Sequence, residues 1–435
     1  MANIPLVREP PRTMLDRYPV TTSFWGEAEP DLATALAGDE RVDVAVVGGG
    51  LAGMSTAYFL KQAEPDLEVA LVEQRYLGYG ASSRNFGNVP QLSHQEIGYL
   101  LRLLGDGDTR FVTRHQARML DDYEALLAEH EVECGFQRLP VLYPAMHAEH
   151  VAGLEEIHAL HRRFDIPSRM LSASQVRGVC DMASFGGLSC ERNATVQPFQ
   201  RARGFAKAVA AIGVRVHEST PLVSHAEDDA SVRLTTPKGT ITAKQVVFAT
   251  NAYTSLLGVG GGAIRATYSY VIGTSPLTRE QLDAIGWSGS HTMLVDAGPL
   301  NEHFYLRVTA DGRFLIGGGA RAKEVLGSIP AHDDPQFFHR LQTEMGRRFP
   351  CLEGAEAAVA WGGPLGMTDS RLPIMSRISE RCFLNGGFNG RGALLAALSG
   401  RIMVGHLLGP QYADPDYMRF GSLLFERDAV TARSA

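Results

Sequence analysis

The stretch VDVAVVGGGLAGMSTAYFLK, residues 42–61, decides the fold. A short β-branched run ends in glycines and passes directly into a helical pattern, as in a buried parallel strand that leads into a helix. A second apolar run, LEVALVE at 67–73, completes a βαβ unit of about thirty residues. The sequence therefore predicts an α/β fold built on a parallel sheet.

Gly48, Gly50 and Gly53 have the spacing GxGxxG. In this pattern the glycines permit a tight turn, a close approach of the main chain to a pyrophosphate, and close packing of helix on strand. Glu73 follows about twenty residues after the last glycine, where a carboxylate accepts hydrogen bonds from ribose hydroxyls. Together these features predict a dinucleotide site, and an acid at this position disfavours a 2′-phosphate.

FAD and NAD share this pattern, and two later segments favour FAD. GYGASSRNFGN, residues 78–88, is rich in small residues and suits a loop beside a second cofactor ring, although a plain turn has the same composition. NGGFNGRGALLAALSG, residues 385–400, opens a helix late in the chain. A helix N-terminus stabilises the negative charge that a reduced flavin gathers and a nicotinamide does not. A glycine-rich loop before a core helix is the structural alternative.

The amino-acid composition limits the classes of binding partner that the sequence predicts. The net charge is −7 and no block of Lys and Arg occurs, which argues against nucleic acid and favours a small metabolite. The N-terminus lacks the apolar core of a secretory signal, and the most apolar stretch, 393–409, is interrupted by Arg401 and His406, so we expect a buried helix there. We predict a cytoplasmic protein with no membrane span and, from the absence of ligand spacing, no metal.

The predicted elements indicate a discontinuous nucleotide domain, because βαβ signals occur at both ends and in the middle of the chain. Two placements stay open for the Pro-rich N-terminal segment, 1–30. It could cover the chain's own cleft, or that of a neighbouring subunit in a homo-oligomer. The predicted parts are an N-terminal arm, 1–40, an FAD-binding domain, 41–108, 191–262 and 354–425, and a substrate domain, 109–190 and 263–353.

Six blocks carry a family resemblance in the family's order: VVGGGLAGMSTAYFL, GASSRNFGN, VVFATNAYT, SYVIGTSPL, WGGPLGMTDSRLPIM and GGFNGRG. The chain resembles the FAD-dependent amine and amino-acid oxidases, which include D-amino acid oxidase, glycine oxidase and sarcosine oxidase. Within that family it is most similar to the γ-glutamylputrescine oxidase branch. The resemblance implies a two-domain α/β oxidoreductase, with a discontinuous Rossmann-like FAD domain and a mixed-sheet substrate domain.

The resemblance also implies which residues hold FAD. They fall into four groups along the cofactor. These are Gly48, Gly50, Gly53 and Glu73 at the ADP half, Ser82, Ser83, Arg84, Asn85 and Gly87 along the flavin and its side of the pyrophosphate, Thr250 beside the dinucleotide, and Gly387, Asn389, Gly390 and Arg391 at the pyrimidine end.

Two departures from the family pattern matter. Sarcosine oxidases attach flavin through a cysteine where this chain has Gly362 and Gly363, so we expect non-covalent FAD. The branch often has two glycines and a glutamine where Phe86, Gly87 and Asn88 stand. The substrate assignment is therefore open.

The reaction that the resemblance implies is removal of a hydride from the carbon next to an amine, which gives an imine that water hydrolyses. The substrate would be an amine or amino acid, and O2 would be reduced to H2O2. Two alternatives stay open. One is a dehydrogenase that passes electrons to a quinone or a carrier protein, and the other is a subunit that binds FAD without oxidising an amine.

The candidate substrate contacts lie in HFYLRV, 303–308, where strand alternation places Tyr305 and Arg307 on one face. If that face borders the cleft, Arg307 would bind a carboxylate and Tyr305 would cover the substrate. A surface arginine beside an exposed tyrosine is the alternative. We assign Tyr268, Tyr270 and Trp361 to packing, and His94 to a structural hydrogen bond.

Overall fold

The computed structural model describes residues 19–91, 96–297, 303–322 and 334–425. Residues 1–18 of the predicted arm and His94 lie outside this part of the chain. The described residues form two large sheets, a small third sheet, and helices packed against them.

The strands of the described residues are numbered in chain order. They are β1 Glu40–Val47, β2 Val69–Val72, β3 Asn88–Pro90, β4 Gln137–Arg138, β5 Val141–Pro144, β6 Ser168–Leu171, β7 Gly187–Cys190, β8 Asn193–Thr195, β9 Arg215–His217, β10 Ser224–Glu227, β11 Val232–Thr236, β12 Gly239–Phe248, β13 Arg265–Thr274, β14 Met293–Val295, β15 Phe304–Val308, β16 Phe314–Ala322, β17 Ala357–Met367, β18 Ile374–Arg377 and β19 Cys382–Gly386.

The α-helices of the same residues are numbered likewise. They are α1 Leu51–Ala63, α2 Ala81–Arg84, α3 Glu96–Glu129, α4 Glu149–Arg163, α5 Ala173–Arg177, α6 Pro198–Ala211, α7 Arg279–Ile285, α8 Pro335–Arg348, α9 Gly392–Leu398, α10 Gly400–Leu407 and α11 Pro415–Leu424. Gly105, with φ 73°, interrupts α3, so this element is two helices in succession.

The first sheet contains the nucleotide-binding pattern. Its strand order is β10-β11-β12-β1-β2-β9, and β19 joins β12 to β18. β1 runs parallel to both neighbours, with Val44 opposite Val69 and Val47 opposite Phe248. Val44 and Val46 pack into an apolar cluster on one face and Val47 into a cluster on the other. Both faces are therefore covered, which confirms the predicted buried parallel strands.

Helix α1 is buried at every position from residue 51 to residue 60, because α9 and α10 cover the side that faces away from the sheet. The prediction of a single helix over 393–409 is wrong, because the segment forms two helices, α9 and α10, which meet at Ser399. Gly400 approaches α1 so closely that a Cβ would lie 2.1 Å from the carbonyl oxygen of Ser55. Within the described ranges, no helix combines the length and hydropathy that a membrane span needs.

The second sheet is mixed, as predicted. Its order is β17-β13-β16-β15-β14-β5-β7-β6, and its pairs are antiparallel except for β14 with β5. On the outer face Tyr268 and Tyr270 are fully buried, and the ring of Tyr270 contacts Phe337 and Phe338 of α8. The packing role assigned to these tyrosines is confirmed. Alternation then places Ser269 on the inner face.

Strand β17 belongs to the second sheet, although its residues lie within 354–425, which we predicted for the FAD-binding domain. It pairs antiparallel with β13, from Arg265 opposite Met367 to Thr274 opposite Ala357. The sequence WGGPLGM does not predict a strand, because glycine and proline are both depleted in strands. The other domain limits stay predictions.

Candidate active site

A cavity of about 680 Å³ is lined by residues of both large sheets. Gly48 and Gly50 line it where β1 ends, and Ser269, Tyr305 and Trp361 line it from the second sheet. Cofactor and ligand pockets typically measure ~300–1,000 Å³. The cavity thus joins the nucleotide pattern to the inner face of the mixed sheet.

The glycine turn brings main chain to the cavity wall. Gly48 has φ 106°, a conformation that favours glycine. Gly53 does not line the cavity. It lets α1 pack on the turn, since a Cβ there would lie 1.9 Å from the carbonyl oxygen of Gly48. Gly50 precedes α1 and lines the cavity together with Leu51, so the positive end of the helix dipole faces the cavity.

The carboxylate of Glu73 is oriented by main-chain donors. Its Oε2 accepts a hydrogen bond from the N–H of Gly49 at 2.8 Å, and its Oε1 accepts one from the N–H of Arg75 at 2.9 Å. Burial raises the pKa of Glu73, and these N–H groups oppose that rise. Each oxygen keeps a second lone pair, so Glu73 can also accept a hydrogen bond from a hydroxyl in the cavity that it lines.

The segment after the acid forms α2 and a tight turn. Ser82 Oγ accepts from the N–H of Leu51 at 2.9 Å, which ties α2 to the start of α1. Asn85 Oδ1 accepts from the N–H of Gly87 at 2.9 Å. The Arg84 guanidinium lies 4.3 Å from the centre of the Tyr79 ring. These contacts fix the segment as one wall of the cavity.

The late glycine-rich loop forms another wall. Asn389 Nδ2 donates to the carbonyl oxygen of Gly387 at 2.6 Å, and Asn389 Oδ1 accepts from the N–H of Thr368 at 2.9 Å. Arg391 forms an ion pair with Glu96 of α3. The loop is therefore held by its own amide and by a distant helix.

The structure brings the predicted cofactor residues together around this cavity. Those that line it are Gly48, Gly50, Glu73, Ser82, Arg84, Asn85, Thr250, Asn389, Gly390 and Arg391. Four do not line it, but each is next in sequence to a residue that does: Gly53, Ser83, Gly87 and Gly387.

The two predicted substrate residues have different positions. Tyr305 lines the cavity, and its hydroxyl lies 2.7 Å from Ser269 Oγ. Burial raises the pKa of Tyr305 to about 12. Arg307 lies outside the cavity lining, and its Nη1 donates to the carbonyl oxygen of Phe86 at 3.1 Å and to Thr195 Oγ1 at 2.9 Å. The expectation that both residues border the cleft is therefore wrong for Arg307 and holds for Tyr305.

Several residues by which the second sheet lines the cavity were not identified from the sequence. Ser269 stands between two packing tyrosines, and strand alternation puts it on the opposite face, where it lines the cavity. Trp361 is buried, as expected, but it also lines the cavity and donates from Nε1 to the carbonyl oxygen of Arg84 at 3.0 Å. Met293 and Val295 line the same wall, and no signal in the sequence marked them.

The arrangement fits FAD in two respects. The glycine turn, the start of α1 and Glu73 supply groups for a pyrophosphate and a ribose at one end. The cavity then continues past Asn85 to Trp361 and Tyr305, which leaves room for a ring system and a small molecule beyond it. Polar groups from three separate segments therefore line one cavity.

Comparisons with known proteins agree with this geometry. The family model described as FAD dependent oxidoreductase matches residues 43–405. The gamma-glutamylputrescine oxidoreductase of Escherichia coli is 29% identical over 373 residues, which cover 84% of each chain. The crystal structure of glycine oxidase from Geobacillus kaustophilus superposes with a TM-score of 0.70 at 21% identity, and covers 85% of this chain and 95% of that one.

The same fold is found in L-proline dehydrogenase from P. horikoshii, with a TM-score of 0.69 at 20% identity over 89% of this chain and 100% of that one. An oxidase and a dehydrogenase thus share the architecture, so the fold alone does not choose an electron acceptor. The predicted two-domain FAD oxidoreductase fold is confirmed. The chain belongs to the FAD dependent oxidoreductase family, and it is an oxidoreductase whose cofactor is FAD.

Proposed function

We propose that the protein oxidises an amine or an amino acid at the carbon next to nitrogen and uses O2 as the electron acceptor. The observation that carries the proposal is the continuity of the cavity from Glu73, at the nucleotide end, to Tyr305 and Ser269 at the other end. The name of the E. coli gamma-glutamylputrescine oxidoreductase supports an amine as the substrate. FAD supplies the acceptor for a hydride.

The cavity wall on the side of Tyr305 and Ser269 suits a neutral amine. Val271, Met293 and Val295 give it hydrocarbon surface, which excludes water. Tyr305 and Ser269 add hydroxyl groups that can orient a nitrogen or oxygen atom. Among the described residues that line the cavity there is no Asp or Lys, the single Glu is at the nucleotide end, and His303 lines the cavity together with Tyr305. In the proposed reaction the amine reacts in its neutral form, with its own nitrogen lone pair free.

In the proposed reaction the carbon next to nitrogen loses a hydride and the nitrogen lone pair forms the C=N bond. The role of the protein is to hold this C–H bond in a fixed orientation, which supplies several kcal/mol without a protein base. Water then hydrolyses the imine to a carbonyl compound and an amine or ammonia. O2 takes up the two electrons and two protons and becomes H2O2.

We propose that FAD is held without a covalent bond. Gly362 and Gly363 line the cavity where they offer no side chain for attachment, and no cysteine is among the described lining residues. Acid precipitation of the purified protein should leave all of the flavin in the supernatant. Flavin retained in the pellet would contradict this part of the proposal.

The experiment that tests the function compares two acceptors. The holoenzyme is incubated in air with polyamines, γ-glutamyl amines, N-methyl amino acids and free amino acids, and H2O2 is measured against the reduction of an artificial dye. Peroxide released in proportion to substrate consumed supports the oxidase. Rapid dye reduction with little peroxide would replace O2 by a quinone or carrier protein and leave the amine chemistry in place.

A further inference from the structure

The main-chain carbonyl oxygens from Ser82 to Gly87 all accept hydrogen bonds from side chains elsewhere in the chain. The carbonyl oxygens of Ser82 and Ser83 accept from Arg201 Nη2 at 2.9 Å and from Ser23 Oγ at 3.0 Å. This segment includes the end of α2, whose last carbonyl groups have no partner within the helix. Side chains from outside α2 therefore satisfy them.

The next main-chain carbonyl oxygens along the segment, from residue 84 to residue 87, also accept hydrogen bonds from side chains. The carbonyl oxygen of Arg84 accepts from Trp361 Nε1, and that of Asn85 accepts from Trp25 Nε1 at 2.8 Å. The carbonyl oxygens of Phe86 and Gly87 follow. They accept from Arg307 Nη1 at 3.1 Å and from Thr195 Oγ1 at 3.0 Å.

The other side of this segment faces the cavity. Ser82, Arg84, Asn85 and Phe86 all line it. One stretch of main chain therefore has donors behind it and the cofactor space in front of it. A shift of these carbonyl groups would therefore also shift this part of the cavity wall.

Two of the donors, Ser23 and Trp25, come from the segment before β1. This segment is fixed at both ends. The N–H of Thr21 donates to the carbonyl oxygen of Ala360 in β17 at 2.9 Å, and Gln197 Nε2 donates to the carbonyl oxygen of Trp25 at 2.7 Å. Both donor residues are nearly inaccessible, with exposed fractions of 6% for Ser23 and 9% for Trp25.

The ring of Trp25 is also packed. The Arg307 guanidinium lies 5.4 Å from its centre, and the Phe24 ring lies 5.0 Å away. Arg307 is thus placed between Trp25 and the carbonyl oxygen of Phe86. The residues at 23 and 25 therefore act on the wall directly, and Trp25 also acts through Arg307.

We propose that Ser23 and Trp25 are positioning residues of the FAD site, which hold the cavity wall at Ser83 and Asn85 in the place that the flavin requires. The segment before β1 is then a working part of the cofactor site. This inference depends on FAD binding and is independent of which substrate the enzyme oxidises.

The test uses Trp25→Phe and Ser23→Ala in the full chain, with Trp287→Phe as the control. Trp287 packs against the outer cluster of the second sheet and is not one of the donors. For each purified protein, the apoprotein is titrated with FAD by following flavin fluorescence. The visible spectrum and the two-electron potential of the bound flavin are then recorded, together with the melting temperature of the apoprotein.

Loss of one donor is expected to raise the Kd for FAD by about 2- to 10-fold, because a buried carbonyl oxygen is left without its partner. Both variants should also shift the flavin bands and the potential, and Trp287→Phe should change neither. Ser23→Ala removes a single oxygen atom, so it keeps the test valid if Trp25→Phe folds poorly. Variants that melt at a lower temperature but bind FAD with the parent Kd, spectrum and potential would overturn the proposal.

Discussion

Tyr305 reaches Ser269 across an intervening strand, with 2.7 Å between the two hydroxyl oxygens. Tyr305 is on β15, Ser269 is on β13, and β16 lies between them. Gly317 of β16 stands opposite Tyr305, and a Cβ on it would lie 2.2 Å from a ring carbon of that tyrosine. The glycine therefore permits the ring to lie over β16 and bring its hydroxyl to the cavity.

Tyr305→Phe tests the role of this hydroxyl. We expect kcat/KM to fall about 10-fold through loss of an orienting hydrogen bond, while the Kd for FAD stays unchanged. Steady-state kinetics with one substrate and a flavin titration measure the two effects. Tyr412→Phe, at an exposed tyrosine, is the control. A larger effect on FAD binding than on turnover would contradict the assigned role.

The pH dependence of the same variant separates orientation from base catalysis. Burial raises the pKa of Tyr305 to about 12, so the hydroxyl stays protonated throughout the range in which the enzyme is assayed. We expect kcat/KM to rise with pH as the substrate amine loses its proton, with the same apparent pKa in the parent and in Tyr305→Phe. An apparent pKa that changes with the variant would make Tyr305 a titrating group.

Gly53→Ala tests the packing of α1 on the glycine turn. The added methyl group would lie 1.9 Å from the carbonyl oxygen of Gly48, so the helix or the turn has to move. We expect loss of bound FAD and a lower melting temperature. Gly107→Ala is the matched control, because Gly107 is exposed in α3 with no atom near the added Cβ. That substitution should be neutral or stabilise by about 0.5–1 kcal/mol.

Glu73→Gln tests the contact proposed for the ribose. The amide keeps the shape of the side chain but loses the charge and one acceptor, so we expect the Kd for FAD to rise about 10-fold. Asp66→Asn removes one negative charge from the exposed loop that joins α1 to β2 and should leave the Kd unchanged. Equal Kd values for Glu73→Gln and the parent would contradict the ribose contact.

A buried histidine is expected to couple stability to pH. His161 is 2% exposed, and neither ring nitrogen has a hydrogen-bond partner among the described residues. Burial lowers its pKa to about 4, from 6.5 for an ordinary histidine. The unfolded chain binds more protons between these values, so the free energy of unfolding falls as pH falls through this window.

His161→Leu should remove the contribution of this residue to the pH dependence of stability. Urea unfolding at pH 7.5 and pH 5 should show a difference in free energy of unfolding that is smaller than in the parent by about 2 kcal/mol. His339→Leu, at an exposed histidine of α8, should keep the parent difference. If both variants behave like the parent, His161 does not titrate as the structure indicates.

The residues predicted for the nucleotide end of the cavity can be recognised in the sequence because their contacts are local. Gly48, Gly53 and Glu73 act through turn geometry and main-chain hydrogen bonds, so spacing along the chain is enough to identify them. The Ser82–Asn85 segment is marked in the sequence by a cluster of small residues. Its main-chain contacts, however, come from distant residues such as Arg201 and Trp361.

The substrate end depends on contacts between distant strands. Whether Arg307 faces the cavity or the carbonyl oxygen of Phe86 is decided by the packing of Trp25 and Thr195, and neither is near it in sequence. Ser269 needs the register of three strands before it meets Tyr305. Patterns within one segment carry no information on such contacts.

The most direct test of the central claim is anaerobic. The yellow holoenzyme is mixed with each amine class in a stopped-flow instrument, and flavin absorbance is followed with protiated substrate and with substrate deuterated at the carbon next to nitrogen. The account predicts that one class bleaches the flavin, and that deuterium slows the bleaching several-fold. A holoenzyme that dithionite bleaches, but that no amine or amino acid reduces, would contradict it.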